Sequence, residues 1–159
     1  MTTFNKSTTE ASLLIRNARQ EDLIHIHQVD RDAFGQLAYP AFVLRQFFDC
    51  SAQLFKVAVD EDSIVGYVLG QQKQDSSSAY VLSLATAESH RGQGIAYQLM
   101  EQLEAEGRAL GLSSWVLTVA PDNRSALQLY LKRGYAIQGD ELDYYGDGHR
   151  RYIMEKTLR

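Results

Sequence analysis

At 159 residues, with 45% hydrophobic and 23% charged residues and two prolines, the chain has the make-up of one ordinary globular domain, large enough to bury a core without disulfides or metals and unlike a disordered segment. A net charge of −4 and a pI near 5.5 argue against a broad phosphate-binding face, so nucleic acid is not an expected partner. The single cysteine, Cys50, excludes an internal disulfide, and no Cys-x-x-Cys pair suggests zinc or redox chemistry, so a reducing, cytoplasmic setting is expected.

Residues 1–11 form a polar leader, and 12–159 read as one domain. The leader lacks an apolar h-region and no apolar run approaches the ~20 residues of a membrane span, so neither signal-peptide export nor membrane insertion is expected. SLLIRNA (12–18) predicts a first strand. In RQEDLIHIHQVDRDAF (19–34), Leu23, Ile26, Val29, Ala33 and Phe34 fall near helical spacing and predict a helix with one buried face. His25 and His27 on that helix have the spacing i, i+2, which points them apart, so no metal site is expected. Gly35 ends the helix, and AFVLRQFFD after Tyr39-Pro40 predicts a short second one. Cys50, just beyond, has no His neighbour in sequence to activate it as an acyl carrier.

LFKVAV and SIVGYVLGQQ alternate around Asp60-Glu61-Asp62 and predict a hairpin. AYVLSLATA (79–87) is a near-continuous apolar run, as expected of a central strand. A Gly-rich loop follows, then a helix from Ile95 to Leu110, with Ile95, Leu99, Leu103 and Leu110 on one stripe and Gly111 as its stop. SSWVLTVA is a further strand, NRSALQLYLKR a helix ending at Gly134, and YAIQGDEL and RRYIMEKTL are closing strands around DYYGDGH. The order β-α-α-β-β-β-α-β-α-β-β is an α/β (α+β) arrangement, a mixed sheet with helices packed on it. His149, Arg150 and Arg151 form the tightest basic cluster and read as a solvated strand end.

The junction ESHRGQGIAYQLM (88–100) sets Gly92 and Gly94 ahead of a helix N-terminus, whose free N–H groups and partial positive charge suit an anion. The plainer alternative is a tight strand-to-helix turn. A P-loop is excluded because no lysine follows the glycines. A dinucleotide fingerprint is excluded because Tyr97 stands where a third small residue is needed.

Taken together, SLATAESHRGQGIAYQLMEQLE, LTVAPDNRSALQLYLKRGY and DYYGDGHRRYIMEKTL resemble the GNAT superfamily of acyl-CoA-dependent N-acyltransferases. Arg91, Gly94 and Ala96 match its Arg-x-x-Gly-x-Ala loop. Asn123, Ala126, Leu129, Tyr130, Lys132, Gly134 and Tyr135 match its second signature. The YYGDG loop and overall spacing look most like the ribosomal-protein-alanine N-acetyltransferase group and its N-terminal relatives. The resemblance implies a single-domain fold with a mixed, mostly antiparallel twisted sheet of about seven strands flanked by about four helices. It implies acetyl transfer from acetyl-CoA to a primary amine by direct attack in a ternary complex, with a protein N-terminus as the leading acceptor. A small amine (amino acid, polyamine or aminoglycoside type) and a non-catalytic acyl-CoA-binding module are the alternatives. The oligomeric state stays open, with a homodimer as one option.

By that resemblance the backbone of Leu84, Ala85 and Thr86 pairs with the pantetheine arm and polarises the thioester carbonyl. Gly92, Gln93, Gly94, Ile95, Ala96 and Tyr97, with Arg91, hold the pyrophosphate. Asn123 touches the cofactor arm, and Tyr130 lies near the sulfur, where a phenol can protonate the leaving thiolate. A core role is the alternative for Tyr130. Tyr144 and Tyr145 line the acceptor groove or pack their loop onto the sheet. Thr118 stands where relatives of this type carry a Glu or His base, and its hydroxyl is no base near neutral pH; a water relay through it is one expectation. Glu141, Asp143, His149 and the two phenols are other candidate bases, while Glu88 and His90 read as loop residues. A missing base matters less for an α-amine with pKa near 8, whose neutral form costs about 1.4 kcal/mol at pH 7, than for a lysine at about 4.6 kcal/mol.

Overall fold

The computed structural model describes residues 13–158, so the polar leader at 1–11 and Ser12 lie outside the described residues. The elements are β1 (Leu13–Asn17), α1 (Leu23–Phe34), α2 (Ala41–Ser51), β2 (Phe55–Asp60), β3 (Ser63–Gln72), β4 (Ser78–Thr86), α3 (Ile95–Ala109), β5 (Ser114–Val119), α4 (Arg124–Lys132), β6 (Ala136–Glu141) and β7 (Arg151–Thr157). Their order is the one the sequence implies. The helix expected from Arg19 begins instead with a 3-10 turn at Gln20–Asp22. There the Asp22 carboxylate accepts the Arg19 N–H at 2.7 Å and the Arg16 guanidinium at 2.6 and 3.1 Å.

The seven strands form one sheet in the order β1-β2-β3-β4-β5-β7-β6. Neighbours are antiparallel except β4 and β5. Those two run parallel because α3 carries the chain back between them, as any crossover connection must. Helices cover both faces, so β2 and β3 are buried through most of their length rather than on alternate residues as the hairpin reading expects. Phe55, Val57, Tyr67 and Leu69 pack with Ile26 and Leu44 under α1 and α2. Ala58, Val68, Trp115, Leu117 and Met154 pack with Leu99, Leu103 and Tyr130 on the other face.

The buried stripe of α3 departs from expectation at its end. Ile95, Leu99 and Leu103 are inside, but Leu110 is 44% exposed. The helix stops at Ala109, and the inward position after Leu103 is Gly107. Trp115 takes that space: a Cβ at Gly107 would stand 2.7 Å from the indole nitrogen, and one at Gly70 of β3 would stand 2.7 Å from the far edge of the ring. Glu104, fully buried on α3, accepts two hydrogen bonds from Arg133 at 3.1 Å and another from Lys156. This ties α3 to the end of α4 and to β7.

The feature that makes a site is the parting of β4 and β5. They pair through Ser78–Tyr80 and Ser114–Val116, then separate while each continues. A bulge assists: Leu69 pairs with Ser83 and Gly70 with Val81, leaving Leu82 as an extra residue that bends β4.

Candidate active site

Beyond the point of separation lies a cavity of about 950 Å³. Its lining includes Leu84, Ala85 and Thr86 of β4, Arg91, Gly92, Gly94, Ile95, Ala96 and Tyr97 at the start of α3, Thr118 of β5, Asn123 and Tyr130 beside and on α4, and Tyr145. These expected site residues, far apart in sequence, thus share one wall. Gln93, on the exposed loop, and Tyr144 are not part of the lining.

One end of the cavity is built to receive negative charge. Gly94 is the N-cap of α3 and has φ +77°, and no side chain caps the helix. Gly92 shares that φ, and neither glycine has an atom within 4 Å of where a Cβ would be. The first N–H groups of α3 therefore face open space, at the positive end of the helix dipole. Arg91, His90 and Lys132 line the same cavity, and among the described residues no carboxylate does. His90 itself bridges Asp60 at 2.8 Å and Ser89 at 2.7 Å, in keeping with a loop role. Tyr97 is covered by the Arg133 guanidinium at 4.5 Å and Lys132 at 5.4 Å from its centroid. Asn123 accepts the Ala126 N–H at 3.3 Å and so caps α4.

Tyr130 belongs to both readings made of it. It is 8% exposed and packs in the core, edge-on to Tyr135 at 6.0 Å, yet it also lines the cavity. Burial pushes its phenol up to about 12, so it is a protonated donor at neutral pH.

The other end is a group of hydroxyls. Thr118 Oγ1 lies 2.6 Å from the Tyr145 hydroxyl, and the Tyr80 hydroxyl lies 3.3 Å from that of Tyr145 and 3.5 Å from that of Tyr144. The Tyr144 and Tyr145 rings meet edge to face at 4.7 Å, with Arg151 5.5 Å from the Tyr145 centroid. Burial, then hydrogen bonding with the two neighbouring phenols, drives the Tyr80 phenol well above its ordinary value. Glu141, Asp143 and His149, considered as bases, are exposed and do not line the cavity. Asp143 instead accepts the Gly148 N–H at 2.6 Å and shapes its own turn.

Several contributors were not legible as site residues. Tyr80 and Ser83 read only as members of an apolar strand. Phe34, expected on a buried helix face, is 39% exposed at the mouth of the cavity, because α1 ends there. Of the basic cluster, Arg150 is a solvated strand end paired with Asp140. Arg151 is not: it is drawn to the cavity wall, with Asp147 3.3 Å away. His25 and His27 flank the fully buried Ile26 on α1, away from this wall, and Cys50 is exposed on α2.

Comparisons with known proteins agree with this geometry. The model of the acetyltransferase (GNAT) family matches residues 20–135. An uncharacterized N-acetyltransferase of Methanocaldococcus jannaschii is 30% identical over 145 residues, covering 91% of each chain. The catalytic subunit of the N-terminal acetyltransferase A complex of Arabidopsis thaliana is 38% identical over 112 residues, covering 67% of this chain and 58% of that one. The crystal structure of Ard1 from Thermoplasma volcanium superposes with a TM-score of 0.85 at 23% identity, covering 93% of this chain and 99% of that one.

Proposed function

This chain belongs to the GNAT family of acetyltransferases and is an N-acetyltransferase of that type; from that premise we propose that its acceptor is the free α-amine of a protein or peptide N-terminus. The observation that carries this choice is the acceptor end of the cavity, where hydroxyls of Thr118, Tyr145 and Tyr80 gather; among the described lining residues there is no carboxylate, and the one imidazole, His90, is held by Asp60 and Ser89 on the glycine-loop side. Without a strong base, a site serves an amine that deprotonates cheaply, and an α-amine does so about 3 kcal/mol more cheaply than a lysine at pH 7. The N-terminal acetyltransferase activity in the name of the Arabidopsis relative points the same way.

The residues present fit acetyl-CoA, the family's co-substrate. Its pyrophosphate matches the uncapped α3 N-terminus with Arg91 and Lys132 beside it, where a side chain on Gly92 or Gly94 would crowd the approach and strain a φ of +77°. Its extended pantetheine arm matches the edge of β4 left without a strand partner after Tyr80, as an added strand would. When bound, acetyl-CoA supplies an activated acetyl group as a thioester.

The chain's own groups then divide the work. Backbone N–H groups of Leu84 to Thr86 are the fixed donors toward the carbonyl oxygen, on which negative charge grows as the amine attacks. Tyr130, holding its proton at neutral pH, is the donor for the departing sulfur. Thr118 and Tyr145 orient the acceptor through their shared hydrogen bond. The attack is direct, with Cys50 exposed on α2 and not part of the lining. A CoA-release assay tests the proposal, comparing peptides with free Ala, Ser or Met N-termini against N-blocked lysine peptides and small amines. Turnover confined to free N-termini is the expected result, and turnover confined to small amines would overturn it.

A further inference from the structure

A hydrogen-bonded chain runs from the core to the cavity wall apart from the residues given a chemical role above. Asp30 of α1 is fully buried, and among the described residues no cation pairs with it. One of its carboxylate oxygens accepts the Tyr39 N–H at 2.7 Å. The other accepts the hydroxyl of Tyr67 of β3, itself fully buried. The Tyr67 oxygen lies 2.7 Å from Oγ of Ser83, and Ser83 lines the cavity one residue before the Leu84 to Thr86 segment.

The donors in this chain can be counted. A tyrosine hydroxyl has one proton, and a carboxylate only accepts. The Tyr67 proton therefore goes to Asp30, and the Ser83 hydroxyl must donate its own proton to Tyr67. This leaves Ser83 Oγ facing the cavity with lone pairs and no proton to give. Each bond polarises the next in the same sense, which fixes that state firmly in a buried setting.

From this polarity we infer that Ser83 Oγ is the docking acceptor for the attacking amine, with Tyr67 and Asp30 as positioning residues that hold it in accepting form. The chemistry gives the reason. A primary amine has N–H bonds to donate and one lone pair with which to attack. An acceptor on an N–H turns that lone pair outward, toward the thioester. A donor at the same place would bind the lone pair itself and leave the amine docked but unreactive. The inference rests on the proposed reading of the cavity as an acetyl-CoA and amine site.

Steady-state kinetics on the full chain with acetyl-CoA and a free-N-terminus peptide separate the roles. Ser83→Ala should raise the acceptor KM and lower acceptor kcat/KM about tenfold, the loss of one hydrogen bond, with the acetyl-CoA KM unchanged and activity recovered in Ser83→Thr. Tyr67→Phe should lower kcat without raising the acceptor KM, because Ser83 is then free to donate to the amine lone pair. In the Ser83→Ala background Tyr67→Phe should have no further effect on kcat, whereas a merely structural Tyr67 would cost as much there as in the wild type. Wild-type turnover with Ser83→Ala at full acceptor kcat/KM, or additive losses in the double variant, would overturn the inference alone. A wild type with no turnover on any amine would overturn the reading of the cavity and this inference with it.

Discussion

With no carboxylate or imidazole at the acceptor end, proton loss from the amine must precede its attack, and this fixes the shape of the pH profile. An α-amine with pKa near 8 is about 1% neutral at pH 6, about one tenth neutral at pH 7 and about nine tenths neutral at pH 9. Acceptor kcat/KM should therefore climb about tenfold from pH 6 to 7, about fivefold from pH 7 to 8 and about twofold from pH 8 to 9, close to ninetyfold in all. The acid on the other side sets the upper limit. Tyr130, as the proposed acid, acts in its protonated form, and burial raises its phenol to about 12, so activity depending on it is present at low pH and lost only as pH rises through that value. Tyr80 is raised likewise. Neither phenol produces a falling limb below pH 9. The measurement is CoA release from pH 6 to 9 at saturating acetyl-CoA, with peptide concentration varied at each pH. A plateau beginning near pH 6.5, or a bell closing below pH 9, would show that a group on the enzyme governs the proton, and the reasoning from the cavity lining would be wrong.

Other outcomes follow from single contacts. Tyr130→Phe should lower kcat on the order of 10²- to 10⁴-fold with little change in either KM, read from the same assay, since only the donated proton is lost. Gly94→Ala places a side chain at φ +77°, a strain of about 1 kcal/mol or more, and should raise the acetyl-CoA KM while leaving the acceptor KM alone. Gly107→Ala gains about 1 kcal/mol of helix propensity but drives a methyl to 2.7 Å from the Trp115 nitrogen, an overpacking that costs about 1–3 kcal/mol. Net destabilisation in urea melts is expected, relieved when Trp115→Phe is added. Glu104→Ala leaves Arg133 and Lys156 without their shared buried carboxylate and should cost about 3–5 kcal/mol, measured by the same melts.

How much of this was readable beforehand depended on the range of the signal. Strand and helix order came from apolar periodicity, which is local. The Gly92 to Gly94 loop was legible because only a turn or an anion explains two glycines before a helix. The end of the α3 stripe was misjudged because the deciding partner, Trp115, lies on a different element, and a small residue facing a large one leaves no periodic trace. The same limit hid Ser83 and Tyr80. Within AYVLSLATA they are two polar tips in a strand, and their importance arises where β4 bends at Leu82 and leaves β5. Asp30 was invisible for a related reason: in VDRDAF it reads as one more solvent-facing charge, and the partners that account for its burial are the Tyr39 N–H and the hydroxyl of Tyr67, 37 residues on.

The parting of β4 and β5 also bears on how firmly the two halves of the sheet are joined. Strands β1 to β4 and the β5-β7-β6 group share a short seam at Ser78–Tyr80, bridged farther away by the ion pairs of Glu104. A ligand lying along β4 acts there as a removable suture, lending the seam the hydrogen bonds that β5 withholds. Occupancy should then register as mechanics as well as chemistry, with slower amide exchange in residues 81–86 and 117–119 and a melting temperature that climbs with co-substrate concentration.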